Sequence, residues 1–88
     1  MAGMVGMNVE EVRALGTQLQ QAAEQVRQIS STLTSKLNST TWVGPDQARF
    51  KGEWESTHSS NLRSVAEALQ QASTAATSNA NDQEQVSN

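Results

Sequence analysis

The sequence predicts an all-α protein: an antiparallel two-helix hairpin that pairs with a second hairpin into a four-helix bundle dimer. Three observations carry this. Apolar residues recur in alternating steps of three and four from Val12 to Leu33, the heptad rhythm of a helix with one apolar seam. The run Gly44-Pro45-Asp46 interrupts the chain near its middle and restarts a helix. A second apolar stripe then extends from Ala48 to Ala76. The 88 residues form a single domain, divided into a flexible N-terminus (1–7), helix 1 (8–40), a turn (41–45), helix 2 (46–77) and a polar, frayed tail (78–88).

Helix 1 opens at Asn8, a capping residue, with Glu11 three positions on and both Glu10 and Glu11 suited to the positive end of the helix dipole. Val12, Leu19, Val26 and Leu33 fall at heptad position a, and Leu15, Ala22 and Ile29 at d, with Lys36 at the next d and Leu37 covering beside it. Gly16 interrupts this pattern at about 1 kcal/mol relative to Ala. It reads either as a surface glycine that the helix tolerates or as a point where another backbone comes close, the first being favoured.

The pattern fades through Asn38-Ser39-Thr40-Thr41, whose side chains compete for backbone hydrogen bonds. Gly44 suits the dihedrals of a sharp reversal, Pro45 presets a first helical position, and Asp46 meets the dipole. Helix 2 carries Ala48, Phe50, Trp54, Leu62, Val65, Leu69, Ala72 and Ala76, with His58 midway between Trp54 and Leu62. The successive steps of four near its start drift off a strict heptad. "LQQA" occurs at Leu19-Gln20-Gln21-Ala22 and at Leu69-Gln70-Gln71-Ala72, so a fold-back at Trp42 to Gly44 sets the two roughly opposite each other. From Thr77 onward only Ala80 and Val86 are apolar, hence the frayed tail. One narrow seam with several alanines is a thin core for a lone hairpin, which is why pairing with a second hairpin is expected. Val12, Leu15, Leu19, Val26, Ile29, Leu33, Phe50, Trp54, Leu62, Val65 and Leu69 are the candidates for the hairpin or dimer seam.

Composition narrows function by exclusion. A net charge of -3 gives no reason to expect nucleic acid or an anionic membrane as partner. Cys is absent, which removes disulfides, thiolate metal sites and thiol nucleophiles. The start "MAGMVGMNVEE" lacks a basic region and is not a conventional signal peptide, and no apolar run reaches transmembrane length. The single histidine, His58, has Glu55 one helical turn away but lacks the three or four ligands of a metal site and the orienting partner of a general base. No phosphate loop, nucleophile elbow or paired-carboxylate cleft is present, so the expectation is a non-enzyme without metal or cofactor. Within an apolar stripe, His58 is better placed as a packed or interfacial residue, or as a pH-sensitive one, since charging it disfavours burial.

Trp42-Val43-Gly44, central in a chain of this length and flanked by two amphipathic helices, resembles the WXG family of small helical hairpins, the Esx or early-secreted-antigen type exported by type VII secretion systems. The resemblance spans Asn8 to about Asp82, and Ala48, Phe50 and Trp54 after the turn strengthen it. It implies a hairpin that forms a homodimer, or a heterodimer with a sister WXG protein. It also implies a cytoplasmic stage followed by secretion without a cleaved signal peptide. The family's export signal is bipartite: the Trp-x-Gly turn lies near a C-terminal Tyr-x-x-x-Asp/Glu motif, usually on the partner, and the secretion ATPase reads the composite. Trp42 and Gly44 carry over directly. The chain has no Tyr; Ser78 stands where the family has tyrosine, with Asp82 as the acid in register, a degenerate form of the tail signal.

The expected function is therefore a secreted type VII substrate that acts through dimerisation and recognition by the export machinery. The alternative is an intracellular adaptor that pairs with and escorts a larger type VII effector. Membrane insertion is not expected, because the polar faces are Gln- and Ser-rich with few basic residues.

Overall fold

The computed structural model describes residues 6–87, which are helical apart from the residues leading into the first helix and the turn. Most of the expected flexible N-terminus lies outside the described residues, as does residue 88. Helix α1 covers Val9–Ser39, α2 covers Pro45–Glu53 and α3 covers Ser59–Ser87. Between α2 and α3 the chain stays helical through a π-helical segment, Trp54–His58. Helices α1 and α3 pack against each other in opposite directions: Arg13 bonds Glu84, Gly16 bonds Ser73, and Thr34 bonds Trp54. The product is a hairpin-like rod of 66 × 17 × 15 Å. Counting inward from the Gly16–Ser73 bond sets Leu19 level with Gln70, so the two "LQQA" segments overlap.

Local chemistry accounts for the boundaries. The Glu11 backbone N–H donates to Asn8 Oδ1 at 3.0 Å, capping α1. At the far end the hydroxyls of Ser39 and Thr40 both donate to the Lys36 carbonyl, at 3.1 and 2.6 Å, which satisfies a terminal acceptor and stops the helix. Gly44 has φ +118°, a region that L side chains rarely adopt, and Pro45 follows as the first residue of α2.

The π-helical segment answers the steps of four seen in the sequence. In an α-helix, residues twelve apart drift about 120° around the axis, so Phe50 and Leu62 would face different ways. The wider π turn takes up one extra residue and cuts that drift to about 20°. Ser56 Oγ donates to the Gly52 carbonyl at 2.7 Å and Ser59 Oγ to the Glu55 carbonyl at 3.2 Å, back-bonding of the kind that bends helices.

The predicted seam divides in two. Ala23, Ala66 and Ala80 are fully buried and Ser73 nearly so, with Gly16 also buried; no large side chain among the described residues is fully buried. Gly16, Ala23 and Ser30 on α1, and Ser59, Ala66, Ser73 and Ala80 on α3, recur every seventh residue and bring the two backbones close. Val12, Leu19, Val26, Leu62 and Leu69 flank this line and are half-buried. Leu15, Ile29, Leu33, Phe50 and Val65 do not close the hairpin: they keep 46–53% of their surface exposed. The heptad reading weighted large side chains, whereas the closest helix contact is made by small ones.

Gly16 is a correction of the same kind. It is not a tolerated surface glycine. A Cβ built there would lie 2.8 Å from Thr77 Oγ1 and 3.4 Å from the Ser73 carbonyl oxygen, and Ser73 Oγ donates to the Gly16 carbonyl at 2.6 Å in the buried contact.

The expected frayed tail is also corrected. Helix α3 runs to Ser87, ten residues beyond the predicted end at 77. Ala80 continues the small-residue seam, and the Arg13 guanidinium holds the next turn, donating to Asn81 Oδ1 at 2.9 Å and to both Glu84 oxygens at 2.7 and 3.3 Å. Arg13 also bonds Glu10 at 3.1 Å on its own helix.

Candidate functional site

At the turn end, Trp42 lies over Phe50, with ring centroids 5.5 Å apart and planes tilted by 52°. With Leu33, Leu37 and Trp54 these rings line an apolar groove of about 270 Å³. Trp42 is 40% exposed, so the indole lines the groove and still leaves part of its surface to solvent, while Val43 beside it is 89% exposed. Trp54 is anchored, its Nε1–H donating to Thr34 Oγ1 at 2.8 Å while that hydroxyl donates to the Ser30 carbonyl at 2.8 Å.

Phe50 and Trp54 also line a second groove of about 510 Å³, shared with His58, Asn61, Leu62 and Val65. The turn cluster thus continues along the rod. On α1 the exposed Leu15 and Ile29 each stand immediately before a seam residue, Gly16 and Ser30; on α3 Val65 stands before Ala66. The same offset on two antiparallel helices turns all of these side chains onto one broad face, about 100° of helix rotation from the contact line. The exposed half of the predicted seam is this outer stripe.

His58 is exposed, 6.3 Å from Trp54 between ring centroids. Glu55 and His58 form no ion pair, and among the described residues no group of three or more His, Cys, Asp or Glu is placed to hold a metal ion. Ser78 and Asp82 are exposed on α3 at the level of Arg13, at the end of the rod opposite Trp42 and Gly44. Within one hairpin the two parts of the proposed signal are not brought together.

Sequence reasoning did not identify the Arg13 clamp. Its hydrogen bonds hold the Glu84 carboxyl below the usual carboxylate value and raise the Arg13 guanidinium, in both cases chiefly through the bond between the two side chains. The only sequence signal for it was Glu84, an acid placed one turn beyond a buried alanine.

Comparison with protein-family models, with curated proteins and with solved structures gives no match for this chain. No helix among the described residues is long and apolar enough to cross a membrane.

Proposed function

We propose that the chain is a WXG-type substrate of type VII secretion, which pairs through its outer stripe with a second hairpin to form a four-helix bundle and presents Trp42 and Gly44 to the secretion ATPase. The observation that carries this reading is the turn itself. Trp42-Val43-Gly44 stands at the tip of two packed helices, Gly44 takes a backbone conformation suited to glycine, and Trp42 stays partly exposed beside an apolar groove. The unpartnered stripe of Leu15, Ile29, Leu33, Phe50 and Val65 supports the pairing, since a monomer leaves these side chains in water. Pairing two rods head to tail brings Ser78 and Asp82 of one copy toward the turn of the other, the arrangement that a composite signal needs.

The same exposed stripe favours a second reading, the adaptor that escorts a larger effector by helix pairing. Fractionation of cells with and without the secretion apparatus separates the two. Apparatus-dependent appearance of the protein in the medium, lost in Trp42→Ala while melting and dimerisation are kept, is the expected result. Wild-type protein confined to the cell fraction despite an intact apparatus defeats the substrate reading, and co-purification with a larger secreted chain then favours the adaptor.

A further inference from the structure

The outer stripe contains one side chain whose chemistry changes with pH. The positions just before the small seam residues are occupied by Leu15, Ala22 and Ile29 on α1 and by Val65, Ala72 and the polar Asn79 on α3; the same position before Ser59 is His58. His58 lies one heptad before Val65 and beside Trp54 on the groove they share. The π-helical segment keeps it there, because without the extra residue of that turn the helix would rotate His58 away from the line of Phe50 and Leu62.

We propose that a second copy of this chain covers the stripe and that protonation of His58 weakens this pairing; the inference rests on the dimer reading above. Area argues for a copy of the same rod. From Leu15 to Trp42 the stripe runs about 40 Å at the helical rise per residue, and the rod is 15–17 Å wide. That is about 600 Å² on each copy and about 1,200 Å² in total, the lower end of specific interfaces.

The surroundings of His58 offer little to compensate a charge. Its groove is otherwise lined by Phe50, Trp54, Asn61, Leu62 and Val65, none of them titratable. Along its own chain the charged neighbours are Glu53, Glu55 and Arg63; on α1, Arg27 is paired with Glu24 at 2.7 Å and Lys36 lies toward the turn. Among the described residues no ion pair links His58 to any of them. An imidazole that is covered while neutral resists covering once charged, so the pairing weakens as pH falls.

Equilibrium sedimentation of the full chain at pH 8 and pH 5.5, at constant ionic strength, tests this. The expected result is a dimer at pH 8 whose dissociation constant rises on the order of tenfold at pH 5.5, with the change abolished in both His58→Gln and His58→Leu. A dimer of equal affinity at both pH values overturns the gating and leaves the dimer standing. A monomer at both overturns the dimer reading and the gating with it. The same pH effect persisting in both variants assigns it to other groups and also refutes the proposal.

Discussion

The contrast between two helical glycines gives the sharpest test of how the hairpin closes. Gly16 and Gly52 both sit in helices, and replacing either with Ala brings the same gain of about 0.5–1 kcal/mol in helix propensity. Their surroundings differ. A Cβ at Gly52 meets nothing within 4 Å, whereas at Gly16 it meets Thr77 Oγ1 at 2.8 Å, the Ser73 carbonyl at 3.4 Å and Ala76 Cβ at 3.7 Å. Overpacking a close contact costs about 1–3 kcal/mol, and because Thr77 can turn its hydroxyl the lower half of that range applies. Gly52→Ala is therefore expected to stabilise by the full propensity gain. Gly16→Ala should fall between neutral and about 1.5 kcal/mol destabilising, a separation of about 1–2 kcal/mol between the variants. Urea unfolding followed by circular dichroism, at one protomer concentration so that association is held constant, measures both. Equal stabilisation by the two substitutions would refute the close approach of α1 and α3 at Gly16.

Two further outcomes follow from bonds between the helices. Trp54→Phe keeps an aromatic ring but removes the pyrrole part of the indole with the Nε1–H donated to Thr34. Because the Thr34 hydroxyl still donates to the Ser30 carbonyl, the lost bond costs about 0.5–1 kcal/mol in the same unfolding assay, the lost packing adds to it, and an unchanged midpoint would show the bond to be idle. The Glu84 carboxyl is held below its usual range by Arg13, so its contribution to the end of α3 is full above the ordinary carboxylate value and disappears as pH falls through the lowered one. The raised Arg13 group gives up its share only at pH above the guanidinium range. Protection factors of residues 80–87, which normalise for the intrinsic pH dependence of exchange, should therefore fall toward pH 3, Glu84→Gln should show that lower protection already at pH 7, and identical protection in the two proteins at pH 7 would contradict the clamp.

Elements set by short-range chemistry were readable in the sequence. Asn8 caps α1, the Ser39 and Thr40 hydroxyls end it, and Gly44-Pro45 makes the reversal, each through groups no more than four residues apart. The seam was readable only in part. Large apolar residues and small ones both recur with a heptad period, one position apart, and hydrophobicity weights the large set, so Leu15, Ile29 and Val65 stood in for Gly16, Ser30 and Ala66. The tail was misjudged because its helix depends on contacts with residues about seventy positions earlier, Arg13 above all, which no local window contains. The three steps of four at Phe50, Trp54, His58 and Leu62 were visible as an irregularity, and the π turn is its structural form.

The small-residue seam also sets the order in which freedom is given up. Glycine and alanine have no side-chain rotamers to lose, and serine has few, so closing α1 on α3 freezes backbone and almost nothing else. The rotamers of Leu15, Ile29, Leu33 and Phe50 stay available on the single hairpin and are fixed only when something covers them. A chain built this way can be shaped before it has a partner while its larger side chains are still free to settle against whichever surface arrives.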